Sequence, residues 1–190
     1  MVDPWIGDPF VSPLNSDVLR DWRNRLDWAF EKHSASVCLW LMPDDSSAYV
    51  KVLNDNPALF VSNVAQVIQA LGPHVVACCV GLEVNEYPAL YDELNCIADY
   101  LRANGITYVG VHGTQDRYRV MDAVPACNVY FHQAGPYPTS QPAMQREAQE
   151  ALAQASARGK LCAMSEYDFS GDRGLGRVAL DAGCVHYGNG

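Results

Sequence analysis

Apolar runs of strand length alternate with amphipathic stretches of helix length along this chain, and that alternation leaves it few folds. The runs Ser36–Met42, Val75–Leu82, Thr107–Val111, Asn128–His132, Leu161–Ser165 and Cys184–Tyr187 are short and nearly continuous in apolar residues. A strand apolar on both faces has to be buried on both, as in a parallel sheet covered by helices. Between the runs, Leu19, Trp22, Leu26, Ala29 and Phe30 recur at helical spacing behind a cap at Asn15 or Ser16. A second helix begins near Pro57, carries Phe60, Val64, Val67, Ile68 and Leu71, and closes at Gly72. A third carries Leu90, Leu94, Ile97 and Leu101 and ends at Gly105. A short helical piece spans about Arg117 to Val124, and a long helix runs from Pro142 to Ala157 with Gly159 beyond it. A Gly-rich turn and a short helix precede the last run. This order predicts an α/β fold of about six strands in a single domain over residues 1–190, with residues 1–15 an irregular N-terminal loop.

Two architectures satisfy such a pattern. A doubly wound sheet usually takes a nucleotide on a glycine-rich first turn, and neither GxGxxG nor GxxxxGK[ST] occurs here. A (β/α) barrel of the TIM type gathers its functional residues at the C-terminal ends of its strands. The polar residues of this chain cluster there: Trp40 with Asp44; Glu83, Asn85 and Glu86; His112 with Asp116; His132 with Tyr137; Glu166 with Asp168; and His186 with Tyr187. The expectation is therefore a TIM-type barrel, shortened or incomplete, because eight strands are usual and about six are recognisable.

Composition narrows the partners. The formal net charge is −9 with only 13 Lys and Arg, which argues against nucleic acid, whose phosphates demand clustered cations. No apolar run reaches membrane-spanning length. Met-Val-Asp-Pro-Trp at the start lacks the basic and apolar regions of a secretory signal, so a reducing, cytoplasmic setting is expected. A fragment of a longer protein, or a phage-encoded one, leaves the same trace. Of seven cysteines, Cys38, Cys78, Cys79, Cys127, Cys162 and Cys184 fall in strand-like runs as small apolar residues, and no Cys/His spacing resembles a zinc site. No cofactor and no metal is expected.

Glu86 and Glu166 carry the functional reading. Each stands where an apolar strand gives way to polar residues, in Val-Gly-Leu-Glu-Val-Asn-Glu-Tyr and in Ala-Met-Ser-Glu-Tyr-Asp. Glutamate is rarely buried unless paired or functional. Two on strands of one barrel suit acid/base and nucleophilic chemistry on a glycosidic bond. Strand alternation puts Glu83 and Asn85 on one side and Val84 on the other, with Glu86 at the bend into the loop.

These residues, over roughly 36–188, resemble the clan of retaining glycoside hydrolases on TIM barrels, the cellulase and β-glycosidase type. That clan has Asn-Glu at the end of strand four and a second Glu at the end of strand seven. The resemblance implies that Glu86 is the acid/base, Glu166 the nucleophile, and Asn85 a hydrogen-bonding partner of the sugar. It implies that His132 and Tyr137, after strand six, contact the site, and that Tyr187 supplies the aromatic platform where a Trp is usual. Trp40 then ends strand three and His112 strand five, which makes Trp40 a stacking surface and His112 a further substrate contact. An oligo- or polysaccharide substrate with β linkages follows. Strands one and two lack counterparts here, and a homo-oligomer would cover the edge left open.

Two other functions fit parts of the pattern. Glu83 or Glu86, His112, His132 and Glu166 have the chemistry of divalent-ion ligands in a barrel isomerase or hydrolase. A shortened barrel also suits a non-catalytic carbohydrate-binding relative. Glu83 is equally well a structural ion-pair partner, and Trp22 and Trp28 read as helix packing.

Overall fold

The computed structural model describes residues 14–41, 55–113, 118–134, 138–166 and 174–186. Strand and helix alternate through them. The elements are α1 (Ser16–His33), β1 (Val37–Trp40), α2 (Pro57–Leu71), β2 (Val75–Cys79), α3 (Tyr91–Ala103) and β3 (Tyr108–Gly113). After these come α4 (Arg119–Ala123), β4 (Val129–Gln133), α5 (Gln141–Ser156), β5 (Leu161–Glu166), α6 (Leu175–Asp181) and β6 (Val185–His186). No helix among the described residues is long and apolar enough to cross a membrane.

Local chemistry sets these boundaries. The Asn15 side chain accepts hydrogen bonds from the amides of Asp17 (2.9 Å) and Val18 (3.4 Å), satisfying donors that the first turn of α1 leaves open. Asn56 caps α2 in the same way, with Pro57 at its first position. Gly105 and Gly159, just beyond α3 and α5, take φ of +89° and +67°, the left-handed conformation that glycine reaches without penalty. Gly72 behaves differently: at φ −44° it continues into a 3₁₀ turn, Gly72–His74, instead of reversing the chain.

All six strands are parallel, and they neighbour one another in sequence order from β1 to β6. A doubly wound sheet reverses its strand order partway along; this one never does. With right-handed crossovers, sequential order sends every connecting helix to the same face. The packing agrees. The main core joins residues from every helix to one side of the strands, among them Cys78, Val109, Val111, Tyr130, Cys162 and Met164. The alternate strand residues Cys79, Val129, Phe131 and Ala163 form a separate cluster with Cys38 and Trp40, to which none of the described helices contributes. The fold is thus a parallel α/β sheet with one face covered by helices. Among the described residues β1 and β6 each pair on one side only.

Three expectations shift. β2 stops at Cys79 instead of Leu82, although the Val80 amide still bonds to the Gly110 carbonyl at 2.9 Å. Beyond it Glu83 adopts φ +50°, which ends any extended run and starts a 3₁₀ turn at Val84–Glu86. Strand alternation therefore does not govern Glu83, Asn85 and Glu86; Val84 is buried there because of the turn. Trp28 does not pack: it lies off the face of α1 that carries Leu19 and Trp22 and is 58 % exposed, edge-on to His33.

Candidate active site

On the face opposite the described helices, three aromatic rings meet toward the C-terminal ends of the strands. Trp40 closes β1, and its ring centre lies 5.4 Å from that of His112 on β3 and 5.5 Å from that of Phe131 on β4. The register explains the meeting. His112 stands beside Phe131 across the β3–β4 ladder, and Trp40 stands beside Cys79, itself beside Gly110. Small residues at those two positions leave room for the rings. A Cβ on Gly110 would fall 2.3 and 2.5 Å from two carbons of the Phe131 ring, so only glycine fits beneath it.

His112 is fully buried and held by the turn that follows β2. The backbone amide of Glu83 donates to its Nδ1 at 3.0 Å. An Nδ1 that accepts carries no proton, so the neutral ring bears its hydrogen on Nε2. That Nε2 is buried with no hydrogen-bond partner among the described residues. Burial, and then the neighbouring His132, push protonation of His112 down to about 3 from the ordinary 6.5. The consequence for stability has a definite sign. The unfolded chain takes up this proton below about pH 6.5 and the folded chain does not, so the contribution is complete above that pH and is lost as pH falls toward 3. Urea unfolding at pH 7 and pH 5 should show about 2 kcal/mol of stability lost through this group, a loss absent in His112→Asn. An unchanged pH dependence in the variant would refute the assignment.

The other candidates separate. Asn85 is half-buried and Glu86 exposed, both on the 3₁₀ turn, so the apolar burial expected around the acid is not found at Glu86. Glu166 is the last residue of β5 and pairs with Gln133 of β4, after a register shift in which Ser165 is the extra residue. Ser165 Oγ donates to the His132 carbonyl at 3.0 Å, satisfying an acceptor beside that irregularity. His132 is not brought to this face. It alternates with Phe131, is fully buried toward the helices, and bonds through Nε2 to Glu147 Oε1 of α5 at 2.8 Å. Its ring stacks on Tyr118 at 6.2 Å and 12°. A strand cannot present adjacent residues to one face, so Phe131 takes the place expected of His132. Tyr137 and Tyr187 lie outside the described residues, as do Asp44, Asp116 and Asp168.

The sequence reading missed Phe131, Gly110 and Glu147. The first two had a signal in strand alternation and in a lone glycine inside an apolar strand; Glu147 had none. No group of three or more His, Cys, Asp or Glu among the described residues is placed to hold a metal ion, and His112 and His132 face opposite sides of the sheet. Burial pushes the thiols of Cys38 and Cys127 up to about 12, which leaves them unreactive apolar filler. No protein-family model matches the chain, and no curated protein matches it.

Proposed function

We propose that the sheet is part of a (β/α) barrel whose mouth binds and cleaves a β-linked glycan, with Glu86 as acid/base and Glu166 as nucleophile. The observation that carries this reading is the interval between the two glutamates. Glu86 lies on the turn after β2 and Glu166 ends β5, three strands further along a sheet in unbroken sequential order. The same interval separates the two catalytic strand ends in the hydrolases that this chain resembles. A second observation supports the barrel. The face opposite the described helices is largely apolar, and at the N-terminal ends of the strands it opens into a groove of about 340 Å³ lined by Cys38, Ala77, Val129, Phe131 and Ala163. Such a face suits a barrel interior, which is filled by side chains.

The chemistry follows from the roles. The Glu166 carboxylate attacks the anomeric carbon as the glycosidic C–O bond breaks, and Glu86 gives its proton to the departing oxygen. Water then enters, Glu86 takes a proton from it, and the glycosyl ester is hydrolysed with net retention. Asn85 holds the sugar's 2-hydroxyl, a bond that strengthens in the transition state. Trp40 offers a face on which a sugar ring stacks. The exposure of Glu86 favours a second reading, a glycan-binding protein without turnover. Release of reducing ends from cellohexaose, xylohexaose or chitohexaose decides between them. Release that disappears in Glu166→Gln supports hydrolysis; binding without release supports the second reading.

A further inference from the structure

We propose that His112 is a positioning residue: through Nδ1 it clamps the Glu83 amide and so aims the turn that carries Asn85 and Glu86. The inference rests on the glycosidase reading for its catalytic consequence, though the clamp itself does not.

The turn after β2 is strained at its first residue. Glu83 is one of only two non-glycine residues with positive φ among those described, a conformation that L side chains rarely adopt and that persists only where the surroundings impose it. Three constraints do so here. The Glu83 amide is bonded to His112 Nδ1, the Glu86 amide bonds back to the Glu83 carbonyl at 2.9 Å, and the Val84 side chain between them is completely buried. Peptide orientation at Glu83 thus passes directly to Glu86, and the imidazole fixes it from the neighbouring strand.

His112 is in turn immobile. It is wholly buried against Trp40, and Phe131, its partner across the β3–β4 ladder, is buried as well. Only the neutral ring accepts from an amide, and burial keeps this ring neutral far below neutral pH. The acceptor alone does the work. Nε2–H has no acceptor among the described residues, so its loss removes no bond of the turn.

The two ring nitrogens can be tested apart. The side-chain oxygen of asparagine reaches the position of Nδ1, whereas glutamine reaches the position of Nε2. His112→Asn keeps the acceptor and should retain hexaose hydrolysis within about fivefold. His112→Gln loses it and should lower kcat about 10²-fold with little change in KM, the penalty for misplacing a catalytic group by about 1 Å. The Glu83 amide should exchange slowly with solvent in wild type and His112→Asn, and about 10²-fold faster in His112→Gln. The reverse pattern, with Asn inactive and Gln active, would overturn the proposal and make Nε2–H a donor to the ligand. The wild-type protein gives an independent check even if the Gln variant fails to fold. Long-range proton–nitrogen NMR should show His112 neutral, with its hydrogen on Nε2, from pH 7 to pH 5; a ring that titrates near 6.5 or carries hydrogen on Nδ1 would refute the clamp. A wild-type chain that cleaves none of the three hexaoses, yet shows the locked tautomer and the slow amide, rejects the glycosidase reading and the catalytic consequence while leaving the clamp standing.

Discussion

Glu166→Gln should reduce glycoside hydrolysis by at least ~10³-fold while leaving glycan binding and folding intact. Glutamine copies the size of the carboxylate but cannot form the glycosyl ester through which a retaining reaction passes. Glu86→Gln should behave differently. An acid is needed to the extent that the leaving oxygen is basic, so loss of Glu86 should cost about 10²–10⁴-fold on an ordinary oligosaccharide. On a dinitrophenyl glycoside, whose leaving group departs without a proton, the first step should proceed nearly unimpaired and the ester should accumulate. That contrast assigns the two roles, which a simple loss of activity in both variants would not. Near-wild-type turnover in Glu166→Gln would remove the nucleophile and the mechanism with it.

Gly110→Ala should be among the most destabilising single-methyl changes in the sheet. The added carbon would sit 2.3 Å from Cε2 and 2.5 Å from Cδ2 of Phe131, with the Val129 carbonyl at 3.0 Å closing the other side. Phe131 is only 3 % exposed, so relief requires its ring to leave its packed position and shift toward the groove that it lines. Overpacking of this kind costs typically about 1–3 kcal/mol, and a cost near the upper end suits a clash with both ring and backbone. For a chain of this length, that upper end is a fall in Tm of roughly 6–12 °C. The cause can be isolated with a second substitution. In a Phe131→Ala background only the Val129 carbonyl still crowds the methyl, so the two changes should be strongly non-additive. Equal cost in both backgrounds would show that the ring is not what excludes a side chain at residue 110.

Much of the fold is legible in the sequence because its determinants are local. Pro57 announces the start of α2, Gly105 and Gly159 mark the ends of α3 and α5, and the apolar runs locate the six described strands. The features that stay hidden depend on contacts between distant residues. The end of β2 is set by the left-handed Glu83, whose amide is held by a histidine 29 residues away. Alternation shows that Phe131 and His132 face opposite sides, but not which side is which. That is settled by Glu147 on α5, 15 residues on, and by the Tyr118 ring. Trp28 shows the same limit from the other direction. Its bulk suggested packing, but the helical spacing of Leu19 and Trp22 already left it off the buried face. Of the candidate site, the strand ends were legible; the direction of each side chain was not. A turn in place of an extended segment at Glu83 redirects the side chains of the next residues.

In the proposed mechanism Glu86 and Glu166 act on one glycosidic bond from a shared mouth. A crystal structure of the Glu166→Gln variant with a bound hexaose tests it most directly, through the separation between the side-chain carbonyl carbons at the two positions. A separation of about 5–5.5 Å is expected, with the glycosidic oxygen within hydrogen-bond reach of Glu86, as a retaining mechanism demands. A separation beyond roughly 10 Å exceeds even the spacing of inverting enzymes. It would contradict the claim, as would a sugar bound away from both residues.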